Sequence, residues 1–171
     1  PQLRGVNVTI PHKQAVIPLL DALSDEAREI GAVNVVRITR YADGTVRTKG
    51  FNSDVIGFTE SLRPLLQPHQ RRALVLGCGG ASRAIVYGLR KLGISPTYVS
   101  RTKAEGRLTY EELTAEVLAD HHVIVNCSPV GMYPHNLETL VDLDKFRNLQ
   151  GVADVIYKKI PKILNLDLDK R

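Results

Sequence analysis

Cysteine is scarce in this 171-residue sequence, with only Cys78 and Cys127 present. Two thiols, each beside the end of an expected strand, exclude a disulfide framework and suit a reduced, cytoplasmic protein in which both are small packing residues. Long apolar runs are missing as well. None approaches the length of a membrane span, and Pro1-Gln2-Leu3-Arg4-Gly5 has neither an initiator Met nor a signal-peptide layout, so no membrane association is expected. The five His residues show no metal-ligand spacing; adjacent His121 and His122 read as flanks of a strand, and no metal is expected. Basic residues such as Arg37, Arg40, Arg71, Arg72, Lys158 and Lys159 are scattered without interleaved aromatics, which argues against a nucleic-acid partner. Internal repeats and low-complexity tracts are absent. What remains is a sequence with 43% apolar and 24% charged residues, enough for one domain with a good core or two small ones. Its net charge of +5 suits an anionic small molecule, and solvated surface charge accounts for it equally well.

Gly5 to Ile10 alternates Val6, Val8 and Ile10 with polar residues, the period of a strand, and Pro11 ends it. From Lys13, apolar residues at Val16, Leu19, Leu20 and Leu23 predict a helical stripe that tolerates Pro18 early or kinks there. Asp25 to Ile30 reads as a short helix stopped by Gly31, and Ala32 to Ile38 as a strand containing one polar residue, Asn34. Asp43-Gly44 is a hairpin turn signal, after which Thr45 to Phe51 pairs back. Asn52 or Ser53 then caps a helix whose apolar face is Val55, Phe58, Leu62, Leu65 and Leu66. Pro64, Pro68 and the polar residues around them mark the expected boundary between residues 1–68 and residues 69–171.

The second part opens on Ala73-Leu74-Val75-Leu76-Gly77-Cys78-Gly79-Gly80-Ala81-Ser82-Arg83-Ala84, an apolar run, a glycine cluster and the start of a helix. Glycines let a backbone turn sharply and approach a pyrophosphate, and the helix N-terminus attracts its charge. The dinucleotide fingerprint has Gly or Ala at its third position where this chain has Ser82, and an ordinary strand-to-helix turn shares the same outline. Ile85, Val86, Leu89 and Leu92 continue the helix to Gly93. Strands are expected at Thr97 to Ser100, His122 to Asn126 and Val152 to Ile156, with a Thr109/Glu112 capping box opening a helix between the first two. Alternating strand and helix predict an α/β fold, a Rossmann-like doubly wound parallel sheet preceded by a smaller, incomplete α/β domain. In such sheets an acidic residue at the end of the second strand binds the ribose 2′-hydroxyl, whereas here Ser100-Arg101-Thr102 occupies that place. Arg101 suits a 2′-phosphate, and so NADP(H) is favoured over NAD(H); an exposed turn arginine is the plainer reading.

Six blocks in order then carry a resemblance. Val6-Asn7-Val8-Thr9-Ile10-Pro11-His12-Lys13, Gly31-Ala32-Val33-Asn34, Gly50-Phe51-Asn52-Ser53-Asp54, Gly77 to Arg83, Ser100-Arg101-Thr102 and Asn126-Cys127-Ser128-Pro129-Val130-Gly131-Met132 together resemble the shikimate dehydrogenase family, and Asp154-Val155-Ile156-Tyr157 extends the likeness. The resemblance implies NADPH-dependent reduction of 3-dehydroshikimate to shikimate, a step of aromatic amino-acid (chorismate) biosynthesis, with a substrate domain in residues 1–68 and an NADP-binding domain in 69–171. It implies Lys13 and Asp54 as the catalytic pair, and Thr9, Asn34, Asp54 and Tyr157 as substrate contacts. Gly77, Gly79, Gly80, Ala81 and Ser82 are implied to hold the pyrophosphate, Ser100, Arg101 and Thr102 the adenosine phosphate, and Ser128, Gly131 and Met132 the nicotinamide end.

The chemistry suits these residue types in its own right. Hydride delivery to a ketone builds negative charge on oxygen, so a proton donor such as Lys13 must stand within hydrogen-bond reach. Asp54, expected at a helix N-terminus whose dipole favours negative charge, can orient hydroxyls and hold Lys13; an ordinary ion pair at two loop ends is the plainer alternative. Asn34 on an apolar strand needs its amide satisfied, which a polyhydroxylated substrate or a structural partner can do. Met132 is open between packing on the nicotinamide and filling the core. The family also has an initial strand with a serine pair and a closing Asn-Gly-Leu block with a glutamine-bearing helix, which this sequence lacks, so it is expected to be incomplete at both ends. A quinate/shikimate dehydrogenase with relaxed cofactor use, and a non-catalytic NADP- or shikimate-sensing module, are the competing expectations. The partner is expected to be a small molecule, and the protein a monomer or homodimer.

Overall fold

The computed structural model describes residues 3–131 and 139–155. Two sheets organise them. The first is four-stranded with the order β1-β3-β4-β2, from β1 (Gly5–Asn7), β2 (Ala22–Leu23), β3 (Val35–Arg40) and β4 (Val46–Phe51). Its centre is the hairpin that Asp43-Gly44 predicts: β3 and β4 run antiparallel from Val35 opposite Phe51 to Arg40 opposite Val46, and Gly44 adopts φ +86° in the turn. Helix α1 (Asp25–Ile30) is capped by Ser24, whose hydroxyl accepts the Ala27 N–H, and is closed by Gly31 at φ +67°.

The helical stripe expected from Lys13 is not formed. Turns lead instead to a 3-10 segment at Ile17–Leu19, with Pro18 in its first turn, and Leu20 is already extended. Pro18 donates no backbone hydrogen bond, and Asp21 then pins the chain to β4 by accepting the Thr48 N–H at 2.7 Å and the Thr48 hydroxyl at 2.8 Å. Val16, Leu20 and Leu23 of the stripe still go inside, with Ile17, packing on Ala27, Val33 and Val36, whereas Leu19 is left 78% exposed. Strand β1 is likewise shorter than expected, because β3 starts at Val35 and past Asn7 a single bond, Val8 N–H to Asn34 O at 2.8 Å, extends the pairing.

Helix α2 (Asp54–Leu62) follows β4. Ser53 stands at its N-cap position without a side-chain cap, and Asn52 Oδ1 takes the Asp54 N–H at 3.1 Å. The second sheet is five-stranded and wholly parallel, from β5 (Arg72–Leu76), β6 (Ser95–Ser100), β7 (Arg107–Thr109), β8 (Val123–Asn126) and β9 (Gly151–Asp154), in the order β7-β6-β5-β8-β9. This is the doubly wound Rossmann-like arrangement expected from the alternating pattern, with its switch point between β5 and β8. Helix α3 (Gly80–Lys91) covers one face through Ile85, Val86 and Leu89 over Ala73, Val75, Val123 and Val125. Leu74, Val99, Ile124 and Phe146 fill the other.

Strand β7 was not expected. The Thr109/Glu112 capping box forms, yet it closes a 3-10 turn at Tyr110–Glu112, and helix α4 (Ala115–Ala119) begins behind its own cap, Thr114. Strand β9 ends at Asp154, and the expected continuation to Ile156 and Tyr157 lies outside the described residues. Among the described residues no helix is long and apolar enough to cross a membrane.

Candidate functional site

Three elements of the first sheet converge on one carboxylate. Lys13 stands on the turn after β1, Asn34 immediately before β3, and Asp54 opens α2 at the far end of β4. Lys13 Nζ lies 2.6 Å from Asp54 Oδ2, and Asn34 Nδ2 donates to Asp54 Oδ1 at 2.7 Å. The Asn34 amide is satisfied on its other side by Ser53, whose N–H donates to Asn34 Oδ1 at 2.9 Å and whose Oγ lies 3.1 Å from Asn34 Nδ2. The Lys13 side chain is only 13% exposed and that of Asp54 35%, so the pair is half screened from water and its geometry is held by the backbone, since Lys13 O accepts the Val33 N–H at 2.7 Å. Such a network offers a proton on Lys13 and a fixed set of acceptors and donors for a hydroxylated ligand. Thr9 is exposed on the same turn, where its carbonyl accepts the His12 N–H at 2.8 Å.

The glycine cluster sits beside this network. A Cβ on Gly80, the first residue of α3, would lie 3.5 Å from Lys13 Cβ. Gly77 has φ +102°, and a Cβ there would come within 3.1 Å of Ser128 N and 3.2 Å of Cys127 C, so only glycine lets β5 and β8 close up at the switch point. Gly79 is the N-cap of α3 and brings no side-chain cap, leaving the helix N–H groups to be satisfied from outside. Ser82, the departure from the fingerprint, is fully buried, and its hydroxyl donates to Gly79 O at 2.7 Å. Its side chain braces the turn, so only its backbone is free to meet an anion.

Ser100 is buried at the end of β6 and donates to Thr102 O at 2.5 Å, which bends the chain so that Arg101 and Thr102 are exposed. Burial pushes the Tyr110 phenol up, and the charge of nearby Arg101 opposes that push. Ser128 is buried under the turn, and Gly131 adopts φ +89°. Met132 and Tyr157 lie outside the described residues.

A cleft of about 610 Å³ opens beside the Lys13–Asp54 pair and reaches the first turn of α3 at Ala81. Lys13 and Asp54 lie at one side, Ala81 and Ile85 of α3 at another, and Phe58 and Leu62 of α2 face Val152 to Val155 across it. Phe58 and Leu62, on the expected apolar face of α2, pack against the core, but part of the same face stays open to the cleft, which periodicity does not distinguish. Asn126 plays a part that the motifs do not announce. Asn126 Oδ1 accepts the Ser128 N–H at 3.0 Å and the Ser128 hydroxyl at 2.8 Å, while its Nδ2 lies 3.3 Å from Asp154 Oδ2. That amide ties the Ser128 loop to β9, and a lone polar residue ending the apolar run of β8 was the signal for it. Among the described residues no group of three or more His, Cys, Asp or Glu side chains could hold a metal ion.

Residues 1–36 match the family model of the shikimate dehydrogenase substrate binding domain. A shikimate dehydrogenase (NADP(+)) of Aquifex aeolicus is 37% identical over 166 residues, which is 92% of this chain and 60% of that protein. A quinate dehydrogenase from Corynebacterium glutamicum, solved in complex with NAD, is similar in structure with a TM-score of 0.75 and 31% identity, covering 91% of this chain and 60% of that one. A shikimate 5-dehydrogenase from Thermus thermophilus, solved in complex with NADP(H) and shikimate, gives a TM-score of 0.71 and 33% identity, covering 89% and 58%. The chain spans about 60% of the length of the curated relatives it matches.

Proposed function

Along the part of its relatives' length that it spans, the chain belongs to the shikimate dehydrogenase family, and from that premise we propose that the protein reduces 3-dehydroshikimate to shikimate with NADPH. In this reading residues 1–68 serve the substrate and residues 69–171 the cofactor, and the protein works in the cytoplasm as a monomer or homodimer. The observation that carries it is the Lys13–Asp54–Asn34 network lying against the first turn of α3.

The cofactor side fits a phosphorylated dinucleotide on three counts. Gly77 allows the close approach of β5 to the β8 loop, α3 starts without a side-chain cap, and Arg101 stands exposed just past β6. Backbone of Gly77, Gly79, Gly80, Ala81 and Ser82 would hold the pyrophosphate, Ser100, Arg101 and Thr102 the 2′-phosphate, and Ser128, Gly131 and Met132 the nicotinamide end. When bound, NADPH supplies the hydride. Lys13 gives its proton to the carbonyl oxygen as charge develops there, and Asp54 keeps the ammonium aimed while it accepts a hydrogen bond from a substrate hydroxyl. Asn34 positions Asp54 and, with Thr9 and Tyr157, receives the remaining polar groups of the substrate.

The test is NADPH oxidation by the full-length protein with 3-dehydroshikimate, with quinate and NAD in parallel for the reverse direction. Turnover of 3-dehydroshikimate with NADPH preferred over NADH is expected. The likeness to the Corynebacterium quinate dehydrogenase favours a second reading, relaxed use of quinate and NAD, and faster turnover of that pair would establish it. Tight NADPH binding without turnover of any of these would make the protein a non-catalytic sensing module.

A further inference from the structure

The first turn of α3 meets the substrate side in two places. One is Gly80 against Lys13. The other lies three residues on, where Arg83 Nη1 stands 3.0 Å from the position a Cβ on Gly31 would take. Gly31 closes α1 in the left-handed region, and the carbonyl end of a helix carries partial negative charge that a guanidinium complements. Beyond Gly31 the chain runs through Ala32 and Val33 directly into Asn34. Ala32 O accepts from Asn52 Nδ2 at 3.0 Å, and the Val33 N–H donates to Lys13 O at 2.7 Å. Residues 31–34 are therefore bonded both to Lys13 and to the segment that leads into Asp54. Behind Arg83, fully buried Ala84 packs on Ile30, Ala32 and Val55, small or rigid side chains that leave little slack.

We infer that Arg83 is a positioning residue: its side chain, exposed to solvent and lying over Gly31, works with the buried Ala84 packing to set the separation between the turn at residues 77–82 and the Lys13–Asn34–Asp54 network. It rests on the reading above for what that separation is worth, because hydride transfer is sensitive to displacements of about 1 Å, which can cost on the order of 100-fold. Glycine at position 31 then answers two demands. The backbone needs φ +67°, and the guanidinium occupies the space of a side chain.

The two demands separate in a double-mutant cycle of Gly31→Ala and Arg83→Ala, read by denaturant unfolding of the full-length protein. Alanine at position 31 is expected to destabilise less when Arg83 is already Ala, since only the backbone strain then remains. Strictly additive effects overturn the contact, and with it the inference, whether or not the protein turns over. In kinetics, Arg83→Ala is expected to lower kcat roughly 10-fold to 100-fold with both KM values little changed, and to raise the isotope effect with deuterated NADPH, with partial recovery in Arg83→Lys. A raised KM for NADPH at unchanged kcat would instead make Arg83 a cofactor contact and overturn the positioning role, as would full activity of Arg83→Ala. Absence of turnover in the wild type counts against the functional reading alone, since the unfolding cycle still decides the contact.

Discussion

Lys13 and Asp54, 41 positions apart in sequence, meet at 2.6 Å. The contact does not depend on Lys13 alone to hold Asp54 in place, because Asn34 anchors the other carboxylate oxygen at 2.7 Å and α2 begins at Asp54 itself. Lys13 is held independently, by its backbone bond to Val33. The pair is thus assembled from two separately fixed ends, which lets one be removed without collapsing the other.

Lys13→Ala is expected to lower kcat by roughly 10²-fold to 10⁴-fold, the range for loss of a positioned proton donor. NADPH affinity, followed by fluorescence titration, is expected to stay within a few-fold, and the folded state to persist, since Asn34 still donates to the Asp54 carboxylate when Lys13 is gone. A loss confined to the KM for 3-dehydroshikimate, with kcat intact, would reduce Lys13 to a binding residue.

The helix-forming and parallel-strand parts of the second sheet were readable because burial on both faces makes the strands apolar throughout and the intervening helix amphipathic. Residues 73–76 and Ile85, Val86 and Leu89 are where the pattern puts them. Residues 13–23 were not readable, since Val16, Leu19, Leu20 and Leu23 have helical spacing whether or not a helix forms, and the deciding bonds run from Asp21 to Thr48, 27 positions away. The same holds for the site. Motifs located Lys13, Asn34 and Asp54, but the Ser53–Asn34 and Asn126–Asp154 bonds and the Arg83–Gly31 contact come from tertiary packing that local pattern does not encode.

His121 gives the stability a pH dependence. It is buried ahead of β8, with Nδ1 donating to Val117 O at 2.6 Å and Nε2 accepting from the Thr97 hydroxyl at 3.1 Å, so both nitrogens are used by the neutral ring. Burial lowers its pKa from 6.5, against a smaller upward pull from the Val117 bond; Arg72 and His122 push the same way as burial, and Asp120 the other. Above pH 6.5 the ring is neutral in both folded and unfolded chains, and its contribution is complete. As the pH falls, the unfolded chain takes the proton first, so stability declines until the folded pKa is passed. Urea unfolding of the wild type is expected to show a steeper loss as the pH falls below 6.5 than His121→Gln, which keeps a donor and an acceptor but does not titrate there. Parallel curves would show that His121 is not the titrating group.

The two thiols differ enough to report on the glycine turn without any substrate. Cys78 is exposed within the glycine cluster, whereas burial pushes the Cys127 thiol up to about 12. At neutral pH a disulfide reagent is expected to label one thiol in the folded protein and the second only on unfolding. Saturating NADPH is expected to slow the first reaction, because Cys78 lies between Gly77 and Gly79. Equal labelling rates with and without NADPH would place the cofactor away from this turn.

Gly77→Ala tests the same turn through its backbone. The substitution introduces a Cβ at φ +102° and within 3.1 Å of Ser128 N and 3.2 Å of Cys127 C, neighbours that are backbone atoms and cannot swing aside. The left-handed conformation alone costs a non-glycine residue about 1–2 kcal/mol, and the close contact forces β5 and the β8 loop apart. Asn126 holds that loop by two bonds to Ser128, so the displacement passes to Ser128 and to the nicotinamide end of the proposed site. Gly77→Ala is therefore expected to lose roughly 1–3 kcal/mol in denaturant unfolding and to weaken NADPH binding by more than the stability loss accounts for, since the folded fraction remains near unity. Gly44→Ala is the control: Gly44 also has positive φ, +86°, but its Cβ would meet nothing within 4 Å, and it lies in the hairpin of the other sheet. It is expected to show the strain without the effect on NADPH, and equal effects of the two substitutions on cofactor affinity would remove Gly77 from the binding turn.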